Sequence, residues 1–119
     1  MTSAFVHLRL HTEFSLSDSV VRVPELIAAV AAERMPAVAL TDQCNLFAMV
    51  KFYRAAVARG VQPIIGVDLQ LREPEDKHGA SRLTLLCQND IGYRNLARLV
   101  SRAYLEGQSS NGMPLVDRR

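Results

Sequence analysis

Tryptophan is absent, aromatic residues make up only 6% of the chain, and cysteine occurs twice, at Cys44 and Cys87. Neither thiol lies in a CxxC pair, which argues against a disulfide framework. The opening residues, Met1 to Phe5, lack a basic segment followed by a long apolar run, so they do not resemble a secretory leader. No stretch reaches the roughly 18 consecutive apolar residues of a membrane span. These absences lead us to expect a cytoplasmic protein with reduced thiols and no membrane partner. The net charge of +2 is too small to argue for nucleic-acid binding by itself.

What is present is a globular composition. Hydrophobic residues are 49% and charged residues 22% of a 119-residue chain, enough for one domain at most. Short apolar runs alternate with helical patterns. Phe5 to His11 alternates with period two, which argues a strand. Phe14 to Val23 reads as a loop. Pro24 suits a first helical position, and Leu26, Ile27 and Val30 give that helix an apolar face closed by Glu33 and Arg34. Pro36 to Leu40 is wholly apolar and fits a buried parallel strand. Asn45 is a candidate cap for a helix from Leu46 to Arg59, with Gly60 just past its end. Gln62 to Leu71 and Arg82 to Cys87 read as strands, separated by a polar loop from Arg72 to Ala80. Asp90 is a candidate cap for a last helix in which Leu96, Leu99, Val100 and Ala103 share a face. The order is β-α-β-α-β-β-α, which implies an α/β fold with mainly parallel strands. In such folds chemistry gathers at the carboxyl ends of strands, so Arg9, His11, Asp18, Asp42, Gln43, Asp68 and Arg82 are the residues to follow.

Six stretches around those positions carry a resemblance. They are the run from Phe5 to Ser15, Met35 to Asp42, Asn45-Leu-Phe, Val50-Lys-Phe-Tyr, Pro63 to Asp68, and Gly92-Tyr-Arg-Asn-Leu. In order and spacing they resemble the N-terminal PHP (polymerase and histidinol phosphatase) domain of bacterial replicative polymerases of the polymerase III alpha family. The resemblance implies part of a distorted (β/α)7 barrel, its first four strands and three helices. Residues 1–107 would be the N-terminal part of the domain, and 108–119 a linker or frayed tail leading into the rest of the barrel. Four strands cannot close such a barrel, so open edges and self-association are expected.

Active members of the family hold a cluster of divalent ions at the strand ends and hydrolyse phosphoesters with it. Carried over position by position, their ligands fall on Arg9, His11, Asp18, Gln43, Asp68 and Arg82. His11 and Asp18 match, and Asp68 replaces a longer carboxylate. Arg9, Gln43 and Arg82 stand where the family has histidines. A guanidinium cannot give up its proton to become a ligand, and it repels dications at short range. The resemblance therefore implies a vestigial site without metal or catalytic residues, in which Arg9 bridges Asp18 or Asp68. Cys44 fills the family's glycine position. The parent polymerase would use magnesium and deoxynucleoside triphosphates on DNA, with its catalytic aspartates far beyond residue 119. Here the implied role is a scaffold for the remainder of the alpha chain and a docking surface for a proofreading exonuclease subunit. The rivals are an active metal-dependent PHP phosphoesterase and a stand-alone PHP phosphatase.

Overall fold

The computed structural model describes residues 5–72, 80–106 and 116–117. Two helices come first, separated by one strand: α1 (Val23–Ala32), β1 (Ala37–Leu40) and α2 (Met49–Ala58). A long strand β2 (Gln62–Arg72), a strand β3 (Ala80–Leu86), a helix α3 (Asp90–Glu106) and a short strand β4 (Val116–Asp117) complete the order. The chain is a mixed α/β fold, as its alternation of patterns implies.

β2 organises the sheet because its two halves have different neighbours. Gln62 to Ile65 pair in parallel with Ala37 to Leu40. Gly66 to Arg72 pair with β3 antiparallel, with Asp68 opposite Thr84 and Gln70 opposite Arg82. Leu71 and Arg72 also pair in parallel with β4. The expectation of mainly parallel strands therefore fails for β2 and β3. Strands that follow one another in the chain can pair antiparallel without the helical crossover that a parallel pair needs. β4 also falls within the segment read as a linker or tail, 108–119.

Phe5 to His11 is not a continuous strand. It runs alongside β1 through a single parallel bridge between His7 and Val38. Ala39 N donates to His7 O and Thr41 N donates to Leu10 O. At Leu10 a side chain interrupts the ladder, because its N–H donates to Thr41 Oγ1 at 2.8 Å. The stretch read as a loop from Phe14 contains a 3-10 helix, Glu13–Asp18, capped by Thr12. Of the polar loop read from Arg72 to Ala80, the two end residues belong to β2 and β3 and the rest lies outside the described residues, as does Gly107, the glycine expected to end the last helix.

Both early helices end in the same way. After α1, Met35 N donates to Val30 O and Arg34 N to Ala31 O. After α2, Val61 N donates to Ala56 O and Gly60 N to Val57 O. This double closure needs a left-handed residue at the turn. Gly60 supplies it at φ 72°, and Arg34 adopts it at φ 57° despite its side chain. Two caps differ from expectation. α2 begins at Met49, and Asn45 instead holds the preceding turn by accepting from Phe47 N at 3.2 Å. At α3 the cap is Asn89, whose Oδ1 accepts from Gly92 N at 2.9 Å, so Asp90 is already inside the helix.

Two cores result. Val23, Ile27 and Val30 of α1 and Ala48, Phe52 and Ala56 of the α2 region close over Val38 and Leu40 of β1. Leu96 and Val100 of α3 cover Val67 and Leu69 of β2, together with Cys44. Each fully buried side chain of the size of Phe52 or Leu69 contributes about 1.5–3 kcal/mol by leaving water.

Gly66 sits where β2 exchanges β1 for β3 as its neighbour. A methyl group there would lie 2.5 Å from Leu85 O and 2.7 Å from Leu86 Cδ2. Gly66→Ala is expected to destabilise the fold by about 1–3 kcal/mol through this overpacking, measurable as a lower urea midpoint.

Candidate functional site

The site is built around two buried carboxylates, Asp42 and Asp68, exposed by 1% and 4%. Asp42 lies two residues beyond the end of β1 and Asp68 within β2, and their backbones are joined. Asp68 N donates to Asp42 O at 3.0 Å, and Cys44 N donates to Asp68 O at 2.8 Å. A parallel bridge links Gln43 to Asp68.

Asp42 binds the segment that precedes the 3-10 helix. Its Oδ1 accepts from Thr12 N at 2.6 Å and Ser15 Oγ at 2.9 Å. Its Oδ2 accepts from Thr12 Oγ1 at 2.8 Å. Ser15 Oγ in turn accepts from Gln43 N at 3.1 Å. A buried ionised carboxylate costs several kcal/mol to desolvate. Hydrogen bonds to a charged acceptor return about 1.5–3 kcal/mol each, so three of them offset that cost without a cation.

Asp68 is the centre of the candidate site. Arg9 Nε donates to its Oδ2 at 2.8 Å, and His11 Nε2 lies 2.5 Å from the same oxygen. Thr84 Oγ1 donates to Oδ1 across the β2–β3 pair. Burial opposes the charged form of Asp68. Hydrogen bonds from Thr84 and His11 and the Arg9 guanidinium more than offset it and hold its carboxyl below the usual range. An ionised carboxylate only accepts hydrogen bonds, so the His11 Nε2 facing it carries the proton.

The fold thus brings Arg9, His11 and Asp68 together, and Asp68 is the partner that Arg9 takes. Gln43 and Arg82 join a small cleft lined also by Cys44, Asp68, Leu69 and Gln70. Arg82 is exposed and lies diagonally across the strand pair from Asp68. Asp18 closes the 3-10 helix, but its side chain lies outside the described residues. His7 is exposed, its ring edge-on to Phe5 at 4.7 Å. Cys44 is buried with φ 52°, the left-handed conformation that suits glycine. Burial pushes its thiol upward, which disfavours a thiolate nucleophile.

Sequence reasoning missed Thr12, Ser15 and Thr84. The signal for Thr84 was its place two residues after Arg82 on one strand face. Thr12 follows His11 directly, and Ser15 comes three residues after Thr12, at the spacing of one turn. Among the described residues, no group of three or more His, Cys, Asp and Glu side chains is placed to hold a metal ion.

The PHP domain family matches residues 7–119. The chain belongs to this family. Its PHP sequence is 53% identical over 118 residues to the DNA polymerase III subunit alpha of Pseudomonas aeruginosa. It is 47% identical over 114 residues to that of Vibrio cholerae, and 40% identical over 114 residues to that of Escherichia coli K12. The alignments cover 99%, 96% and 96% of this chain, and in each case 10% of the relative. The PHP chain thus spans about a tenth of the length of these polymerase relatives. Among solved structures, it resembles an amidohydrolase from Chromobacterium violaceum, solved with bound sulfate and no metal. That likeness has a TM-score of 0.66 at 22% identity, covering 86% of this chain and 34% of the other. At that identity the likeness speaks to the fold alone.

Removing the Asp42 carboxylate leaves three donors without an acceptor. Asp42→Ala is expected to cost about 3 kcal/mol or more, and Asp42→Asn clearly less, when the two are compared by urea unfolding. Asp68 supplies a pH dependence. Its carboxyl is depressed in the folded chain, so its contribution is complete above the unfolded value of about 3.9. That contribution is lost as pH falls through the lower folded value. Unfolding free energies measured from pH 6 down to pH 2 should show this loss, and Asp68→Asn should flatten it.

Proposed function

We propose that this chain is the N-terminal part of a replicative DNA polymerase of the polymerase III alpha type. In this reading it is part of the distorted PHP barrel and serves as a scaffold rather than a phosphoesterase. The parent polypeptide would extend primers on DNA in the cytoplasm with magnesium and deoxynucleoside triphosphates. Residues 1–107 would be barrel, packing against the remainder of the alpha chain and offering a surface to a proofreading exonuclease subunit. Supporting the parentage is the 53% identity that runs through 99% of the chain.

The scaffold reading rests on one observation: Arg9 Nε and His11 Nε2 both spend themselves on Asp68 Oδ2. With Thr84 on Oδ1, three of the roughly four lone-pair positions of this carboxylate face protein donors. A dication at Asp68 would have to displace a guanidinium that is already charge-paired and hydrogen-bonded. Where a histidine ligand would offer a bare nitrogen, His11 presents an N–H. The donor set does not fit the family's metal cluster, and an ion pair stands in its place.

The test is metal content by mass spectrometry after loading with manganese and zinc and desalting. It should be run on this chain and on one extended through the whole barrel. No stoichiometric metal is expected in the extended chain. Two or three retained ions with phosphoesterase activity would favour the metal-dependent PHP enzyme instead. Analytical ultracentrifugation of the 119-residue chain at high concentration should show self-association, since β3 presents an outer edge with Leu83 and Leu86 exposed by 40% and 41%.

A further inference from the structure

α3 has two unlike faces. Leu96, Val100 and Ala103 are buried. The opposite face carries Arg94, Arg98 and Arg102, all exposed, at successive four-residue spacings. Between Asp90 and Glu106, at the two ends of the helix, there is no acidic residue. Arg102 makes a long, exposed contact to Glu106 at 3.4 Å. Among the described residues Arg94 and Arg98 have no ion-pair partner.

Like charges four residues apart destabilise a helix, so local stability does not explain this row. Core packing does not explain it either, because none of the three side chains is buried. Arginine in place of lysine matters as well: its planar fork donates to phosphate oxygens in pairs. The rise of a helix sets the guanidinium-bearing positions about 6 Å apart along a line about 12 Å long. A polyanion with closely repeated charges along a line fits that row, whereas a single small anion would engage one arginine at a time. The net charge of the chain, +2, gives no hint of this surface, because acidic residues elsewhere balance it.

We infer that the Arg94–Arg98–Arg102 face of α3 is a docking surface for the phosphate backbone of DNA, read without regard to sequence. The inference rests on the polymerase reading above for its choice of DNA as the polyanion. Asn95 and Ser101, exposed beside the row, add neutral donors of the kind that also contact phosphates.

The experiment uses the full-length polypeptide that carries this chain and a labelled primed duplex, with affinity measured by anisotropy across a range of salt. Each phosphate contact adds about 0.9 to the magnitude of the logarithmic salt slope on duplex DNA. The R94Q/R98Q/R102Q variant is expected to lose about 2–3 from the slope relative to the parent. The corresponding triple lysine variant, which keeps the charge, should retain most of it. A control with Lys51, Arg54 and Arg59 changed to glutamine, on and beside α2, should keep the slope. An unchanged slope in the α3 glutamine variant overturns the inference. An equal drop in the α2 control overturns it too, because it would mean a response to net charge alone. If thermal melting shows the triple variant misfolded, R98Q takes its place, with an expected drop of about 1. Failure of the full-length polypeptide to extend a primer would sink the polymerase reading separately, since the slope comparison does not depend on catalysis.

Discussion

The hydrogen bonds around Asp42 are the constraint from which the rest of the site hangs. This carboxylate is buried and satisfied by neutral donors, Thr12 N, Thr12 Oγ1 and Ser15 Oγ. Thr41 beside it grips Leu10 through both backbone groups. Together they replace a strand ladder with side-chain bonds, and the chain from Leu10 to Ser15 is held at the end of β1 without being a strand. Arg9 and His11 are carried on that segment. Without the hold on Leu10 and Thr12, nothing in the local sequence would bring their side chains to Asp68, 57 residues or more away along the chain.

The second constraint is the change of neighbour along β2. Its first half is covered by the α1–α2 core and its second half by α3. Gly66 marks the exchange, where backbone and side chains of β3 approach too closely for any larger residue. One face of the second half packs Val67 and Leu69 under α3, and the period of two turns Asp68 and Gln70 the other way. The polar cleft is thus a consequence of strand alternation, once α3 has taken one face. The arginines on the far side of α3 follow from the same logic: one stripe is spent on the core and the other is free to carry charge.

Much of this was legible beforehand. A wholly apolar run named β1, an isoleucine- and valine-bearing run named β2, and the i, i+3, i+4 pattern named the helices, because burial imposes those patterns wherever it occurs. The family resemblance picked out Arg9, His11, Asp18, Gln43, Asp68 and Arg82 as one group; Arg9 and His11 meet at Asp68, Gln43 and Arg82 line the cleft beside it, and the side chain of Asp18 lies outside the described residues. Other features left no reliable trace. The period-two run from Phe5 to His11 reads as a strand, yet Thr41 intercepts its backbone. Asn45 and Asp90 look like caps, but Ala48 and Asn89 hold those positions, since a cap is decided by where the helix must start to pack.

By itself the sequence determined the membership of the chain and the places of its helices and buried strands. These are local or positional properties, set by residue type and spacing. Only the tertiary structure decided that β3 runs antiparallel, that Asp42 is a clamp, and that Arg9 and His11 converge on one oxygen of Asp68. Each of these depends on groups far apart in the chain meeting in a dry interior, where an unpaired donor or charge is costly and the partner is chosen by geometry.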